Sequence, residues 1–434
     1  RLEGELNMDL RTFLAELEAR GELQRVTEPV APTFEVARRI AAQEGQPLLF
    51  EALPGFPEWR LVSGCLARRE HLALALGCEV PQLVQRLAEA LDAPQTPPCV
   101  AAAPCQEVVE TDVDLYRLPI PRYHPLDGGP YLTAGVAVIR DPDYGRNLSF
   151  HRMMVRDARH LTVRVVEGRG TDTAWRKAPE GLPIAVCIGL PPHVLLAAAM
   201  SPPKGVDECG IAQALDNTPL ARAVAVPLEV FAEAELVLEG VLTHELDREG
   251  PFPDLTGTMD GRRQQPVLRV DAITRRREPL FQALLPGGLE HKNLMGMPRE
   301  PTIFAEVNKV TRCTGVVVTP GGCSWLHAVV QIAKQGPEDG RLAIEAAFRG
   351  HSSLKHVVVV DTDVNPYDVA DVEWAIATRV QATRDLFLYP DQPSSSLDPS
   401  ARQIPAQKAR SDKVGVDATI PWGEPQAGYL RVRY

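Results

Sequence analysis

The sequence predicts a multi-domain α/β chain, with α/β regions at both ends and a β-rich middle. Three observations carry this reading. Strand-like apolar runs crowd between residues 131 and 274. Strand and helix patterns alternate on either side of that stretch. The Pro- and Ala-rich segment DAPQTPPCVAAAPC, 92–105, separates the first part from the second.

Size and composition agree. At 434 residues the length suits about three domains. With 44% hydrophobic and 24% charged residues the chain is globular, not disordered, collagen-like or coiled-coil. The net charge of −11 argues against a generic nucleic-acid binder, which needs a basic face. An acidic whole still accommodates a basic pocket for a small anion.

Met8 and the segment after it read as a natural start, and Arg1–Asn7 contains no signal-peptide core. Leu10, Phe13, Leu14 and Leu17 recur at helical spacing, with Gly21 as the stop. A second helix is expected over Phe34–Ala42, then strands at 47–53 and 60–67 and helices near 69–77 and 80–92. In the middle, 131–141, 147–155, 161–168, 182–192, 222–230, 234–243 and 266–274 read as strands, with a helix starting at 193. So many strands suggest a barrel or packed sheets. In the last third, 315–322 opens a return to βα alternation. Helices are expected at 324–335, 338–350 and 369–380, and strands at 355–364 and 385–390. That alternation implies a parallel sheet covered on both faces.

The eight cysteines form no CxxC pair and no zinc-finger spacing, so they read as reduced, mostly buried thiols of a cytoplasmic protein. No apolar run reaches the ~18–20 residues that cross a bilayer. DTDVNPYD, 361–368, fails as a calcium loop because Pro366 and Val372 stand where Gly and Glu are needed. It reads as a turn with Asp368 capping the next helix. TPGGCSW, 319–325, lacks both dinucleotide and phosphate-loop patterns and reads as a tight βα turn.

Three segments point to chemistry. EGPFPDLTG, 249–257, places Glu249 and Asp254 in one turn-rich loop. Two close carboxylates repel, and repulsion favours a proton on one of them; an ordinary solvated loop is the competing reading. NLSFHR, 147–152, puts Asn147, Ser149 and His151 on one face of a strand and Leu148, Phe150 and Arg152 on the other. Arg152 among apolar neighbours needs an acid or an anion. GVDEC, 205–209, offers Glu208, and Glu and Asn oxygens suit Mn²⁺ or Mg²⁺.

Taken in order, NLSFHR, LTVRVVEGRG (161–170), GVDECGIAQAL (205–215), AELVLEG (234–240), EGPFPDLTG and SDKVGVDAT (411–419) resemble the UbiD family of decarboxylases. The likeness runs from about residue 9 to 423. It implies an N-terminal α/β domain over 8–105, a central split β-barrel binding prenylated FMN over 106–312, and a C-terminal α/β oligomerisation domain over 313–434. It also implies a homo-oligomer, a dimer or hexamer, supplied with cofactor by a flavin prenyltransferase.

The resemblance carries roles residue by residue. Asn147 and Glu208 match the Mn²⁺ ligands, with K⁺ close by. Phe150, His151, Arg152, Arg164, Val165, Val166, Arg169 and Gly170 match flavin-contacting positions, and Lys413 the lysine that reaches the flavin phosphate. Some family members have a metal-binding His where this chain has Gly170, which leaves the third ligand to water or the phosphate. Arg152, Glu249 and Asp254 match the catalytic triad, with Asp254 protonating the product carbon. Pro253 departs from the usual Gly and stiffens the loop.

His291 and Arg299 resemble a pair in the furan- and pyrrole-carboxylate branch, which implies a role in the substrate pocket. Many relatives carry an Arg where Leu326 and His327 stand, and its absence argues against a dicarboxylate. The implied function is reversible decarboxylation of a heteroaromatic or other unsaturated acid. The competing readings are a benzoate or phenolic-acid decarboxylase of the quinone-biosynthesis type, and a non-catalytic flavin-binding assembly subunit.

Overall fold

The computed structural model describes residues 8–404 and 407–432. Arg1–Asn7, with its expected lack of a signal core, lies outside them. The chain divides into two compact units. One holds the residues up to Val80 together with Glu89–Leu294; the other holds Pro81–Ala88 and everything from Met295.

In the first unit, Asp9 caps the helix Leu10–Ala19 by accepting the Thr12 N–H at 2.8 Å. The four apolar residues read from its spacing are the ones it buries. Strands Gln24–Val26, Leu48–Phe50 and Arg60–Ser63 form a small mixed sheet whose fourth strand, Leu280–Gln282, arrives from far along the chain. One apolar core joins this sheet to the central one through residues such as Phe50, Leu61, Leu161, Leu238 and Phe281. Each such side chain contributes about 1.5–3 kcal/mol.

The central sheet has nine strands. Eight follow the order Tyr131–Leu132, Met153–Val155, His160–Val163, Arg263–Arg275, Leu236–Glu249, Leu182–Ile188, Val136–Asp141, Gly145–Phe150, and Val108–Glu110 pairs with Arg263–Arg275. This order is open, so strand pairing does not close the implied split barrel into a ring. One end stops after a two-residue strand. At the other, Leu148 N–H donates to Glu208 Oε2 at 3.0 Å, so a helix-borne carboxylate takes a donor at the sheet edge.

Two long strands, Leu236–Glu249 and Arg263–Arg275, pair antiparallel with register shifts at Glu239/Gly240 and Leu242/Leu246. At Gly240 a Cβ would sit 1.9 Å from the Arg269 carbonyl oxygen, so only glycine fits. Their far ends bring Glu249 opposite Arg263 and carry a small hairpin, Phe252–Pro253 with Met259–Asp260. The segment expected as one strand at 222–230 is instead two short ones, Leu220–Arg222 and Glu229–Phe231. Between them Val224 and Ala225 donate their N–H groups to the Glu239 carboxylate.

The second unit corrects two expectations. Its five-stranded sheet runs Arg312–Val318, His327–Ala333, His356–Asp361, Arg410–Asp417, Leu386–Pro393, and both outer pairings are antiparallel. The sheet is therefore mixed, not parallel. Residues 324–335 do not form a helix. The apolar run Ala328–Val330 with Ile332 is a strand, because it pairs on both sides, and a short apolar run is ambiguous until neighbours exist. TPGGCSW accordingly joins two strands, with Cys323 and Ser324 at φ of 60° and 49°.

Alternation then divides the sheet between two cores. Val330 and Val359 face one core with Ile303 and Ala347, while Val329 and Val358 face the other with Val372 and Ala375. Asp368 caps the helix Val369–Arg379 as expected. All eight cysteines are free thiols. No helix among the described residues is long and apolar enough to cross a membrane.

Candidate functional site

Arg152 lies in the two-residue link between the strands Gly145–Phe150 and Met153–Val155 and is surrounded by carboxylates. Its Nε and Nη2 donate to Glu249 Oε1 and Oε2 at 2.9 and 3.0 Å. Nη1 donates to Asp254 Oδ2 at 2.8 Å, and Nη2 also donates to Asp260 Oδ2 at 2.6 Å. The guanidinium lies over the Phe252 ring, 4.9 Å from its centroid. Burial by itself lowers the Arg152 pKa, but the three acids more than offset it and hold the group above its ordinary value. The expected pairing of Arg152 with an acid is thus met three times over.

Glu249 is fully buried at the end of its strand. Tyr131 O–H donates to its Oε1 at 3.1 Å and accepts the Gly250 N–H at 3.0 Å. Burial, reinforced by Glu249, raises the Tyr131 pKa, so the phenol keeps its proton. Gly250 adopts φ 89° against the Gly261 carbonyl, a place for glycine alone. Asp254 sits at the turn of the hairpin, where its Oδ1 accepts the Leu255 N–H at 2.6 Å.

His291 lies near this cluster, within electrostatic reach of Asp254 and Arg152. Its Nδ1 accepts the Gly287 N–H at 3.0 Å, which puts the proton of the neutral ring on Nε2. Burial lowers its pKa, with Asp254 opposing. Next to it, Glu290 is buried and accepts the N–H groups of Gly64 and Leu66.

A second polar group forms on the other face of the same strand, as the alternation implies. Asn147 Nδ2 donates to Glu208 Oε1 at 3.0 Å. Ser149 Oγ lies 3.1 Å from Thr171 Oγ1, and His151 Nε2 lies 2.9 Å from both hydroxyls. His151 Nδ1 donates to the Arg164 carbonyl at 2.9 Å, and burial pushes the ring down to about 4, so it is neutral. These side chains meet the start of the helix Gly170–Lys177. A Cβ at Gly170 would lie 2.8 Å from Asn147 Oδ1. Burial pushes the Glu208 carboxyl up to about 7, the desolvated state that a cation would relieve.

Asn147 and Glu208 supply two hard oxygen donors, and the glycine keeps the space beside them open. These residues fit a divalent cation and a phosphate. Among the described residues there is no group of three His, Cys, Asp or Glu side chains able to hold a metal.

The remaining predicted positions are spread more widely. Phe150 is half-buried and Val165 buried, its N–H held by Gln265 Oε1 at 2.7 Å. Val166 is exposed. Arg164 donates to the Val165 carbonyl, and Arg169 precedes the helix at Gly170. Arg299 and Lys413 belong to the second unit. There Arg299 stacks over Trp325 at 5.2 Å. Lys413 donates to the Ser352 carbonyl at 2.8 Å, and burial pushes it down to about 8. Sequence reasoning missed Asp260 and Tyr131. Asp260 lies six residues beyond Asp254 on one hairpin, a spacing that a hairpin reading would have exposed; no sequence signal marks Tyr131.

Comparison with known proteins adds the following. Residues 14–91, 99–289 and 292–418 match the N-terminal, Rift-related and C-terminal domains of 3-octaprenyl-4-hydroxybenzoate carboxy-lyase, UbiD. An anhydromevalonate phosphate decarboxylase from Methanocaldococcus jannaschii is 41% identical over 89% of this chain and 91% of its own. The UbiD-class enzyme HmfF from Pelotomaculum thermopropionicum, solved with FMN, superposes with a TM-score of 0.93 at 38% identity, covering 98% of this chain and 97% of that one. An evolved dimeric form of HmfF with prFMN gives a TM-score of 0.89 at 36% identity, covering 98% and 99%.

Proposed function

The chain belongs to the UbiD family of carboxy-lyases, and on that premise we propose that it uses prenylated FMN to decarboxylate an α,β-unsaturated carboxylic acid non-oxidatively and reversibly. The observation that carries this reading is the buried Arg152–Glu249–Asp254 cluster, costly to fold unless it is used.

The cofactor, when bound, supplies the electron sink for the bond that breaks. Asn147 and Glu208 would hold a divalent cation such as Mn²⁺, with K⁺ as its companion; Arg164, Arg169 and Gly170 would serve the phosphate, and Phe150, His151, Val165 and Val166 the rest of the flavin. This meets a dianionic cofactor locally in a chain of net charge −11.

Arg152 has one Nη1 hydrogen without an acceptor among the described residues, and it aims this at the substrate carboxylate. Glu249, held by Tyr131, keeps the guanidinium oriented. The bond to the carboxylate carbon breaks, CO₂ leaves, and the electron pair left on carbon takes the proton from Asp254, which regains one from water.

For the substrate, an anhydromevalonate phosphate-like acid is favoured by the 41% identity across nearly the whole chain. That name denotes the dehydration product of a phosphorylated 3-hydroxy acid, hence unsaturated beside its carboxylate. A furan- or pyrrole-type acid is the second reading, favoured by His291 standing neutral near Asp254. Assembly as a homo-oligomer is supported by the dimeric HmfF form.

The test is anaerobic CO₂ release by protein co-expressed with a flavin prenyltransferase. Anhydromevalonate phosphate, 2-furoate, pyrrole-2-carboxylate and 4-hydroxybenzoate form the panel. Turnover of one of the first three, abolished by Asp254→Asn, is expected. Turnover of 4-hydroxybenzoate alone removes the substrate reading, and silence on every acid by the loaded wild type removes the activity.

A further inference from the structure

Asp260 takes no part in the chemistry above, yet it makes the shortest of the four bonds to Arg152, at 2.6 Å. Its other oxygen accepts from Arg263 Nη2 at 2.5 Å and from the Gly261 N–H at 2.9 Å. Asp260 pairs with Phe252 across the hairpin whose turn is Asp254. That turn is closed by Asp254 N–H to Thr258 and Gly257 N–H to Asp254, at 3.0 and 2.8 Å. The hairpin is therefore tied to Arg152 twice, once at its tip through Asp254 and once at its base through Asp260.

The two ties are not equivalent. The tip bond must break when Asp254 turns to a substrate carbon, and the base bond, with the Phe252 ring under the guanidinium, then keeps the hairpin against Arg152. The charges also close around it. With Asp254 acting as an acid, Arg152 and Arg263 stand against Glu249 and Asp260, two against two. The other titratable groups facing this spot are Tyr131, which keeps its proton, and His291, which is neutral, with Arg164 behind.

We propose that Asp260 is a positioning residue for the proton transfer: it anchors the hairpin that carries Asp254 and pairs with Arg152 and Arg263 at the base of that hairpin. The proposal rests on the decarboxylase reading for its kinetic consequences, and on geometry alone for the anchoring. Desolvation raises the Asp260 pKa, but Arg152, Arg263 and the Gly261 N–H bring it below the ordinary carboxylate value, so it stays charged through neutral pH.

Asp260→Asn keeps the size and removes the charge. In the loaded holoenzyme we expect kcat to fall about tenfold or more, with KM within about twofold. Asp260→Glu restores the charge. It recovers part of the lost kcat, again with KM within about twofold. An unchanged kcat in Asp260→Asn, or an equal fall in Asp260→Glu, overturns the proposal, and the Glu variant carries the test if the Asn variant does not fold.

Amide hydrogen exchange at Asp254 and Gly257 gives a readout independent of any substrate. Faster exchange in Asp260→Asn than in Asp254→Asn is expected, and equal exchange in the two overturns the anchoring. A wild type silent on every acid counts against the decarboxylase reading, whereas the exchange result still decides the anchor.

Discussion

The hydroxyl of Tyr131 bridges Glu249 Oε1, at 3.1 Å, and the Gly250 N–H, at 3.0 Å, so one phenol orients the carboxylate that grips Arg152 and the backbone that leads into the acid-bearing hairpin. Tyr131→Phe removes both bonds and leaves a buried N–H without its acceptor. The expected loss is about 1–3 kcal/mol in urea denaturation, with a fall in kcat larger than any change in KM.

Removing the cation has a sharper outcome. Glu249 is fully buried, and without the Arg152 guanidinium it keeps, among the described residues, the Tyr131 hydroxyl as its side-chain partner. A cost of about 3–5 kcal/mol is expected, with CO₂ release lost. A variant as stable as the wild type in equilibrium unfolding contradicts this.

Gly170→Ala tests the phosphate end of the site. The new methyl presses on Asn147 Oδ1, a contact of 2.8 Å, and displaces it from Glu208. FMN retention with Mn²⁺, read by absorbance after gel filtration, should weaken about 10–100-fold while the melting temperature stays within a few degrees. Unchanged retention argues that the flavin phosphate lies elsewhere.

Glu290 predicts a pH effect on stability. Burial, only partly opposed by the N–H groups of Gly64 and Leu66, pushes its carboxyl up to about 7, above its unfolded value near 4.5. A raised pKa means that the folded protein holds a proton which the unfolded chain releases. Its contribution is therefore full below about pH 4.5 and lost as pH rises to about 7. The size is on the order of 1–3 kcal/mol. Chemical denaturation at pH 5 and pH 8 should show this difference in the wild type and a smaller one in Glu290→Gln.

His291→Gln addresses specificity. The neutral ring has its Nδ1 engaged by Gly287 and so offers a donor at Nε2, not a positive charge. The ratio of kcat/KM between pyrrole-2-carboxylate and anhydromevalonate phosphate should shift by about tenfold or more. An unchanged ratio takes His291 out of the pocket.

The order of motifs from NLSFHR to SDKVGVDAT was enough to identify the family. The spacing of Leu10, Phe13, Leu14 and Leu17 was enough to locate the first helix, because one buried stripe demands that period. The β-rich middle and the α/β character of both ends were legible for the same reason. The pattern of Asn147, Ser149 and His151 against Leu148 also followed from strand alternation alone.

Pairing was not legible. His327–Ala333 reads locally as helix or strand and became a strand only between two partners. The Arg152 cluster draws on residues 108 positions apart, and nothing local announces that Asp260 and Tyr131 join it. Residue types and periods are properties of a segment, so the sequence by itself determined most of the elements, the family and the two acids of one loop. Which charge meets which depends on how a bulged pair of long strands carries its far end against another strand, and only the tertiary structure decided that.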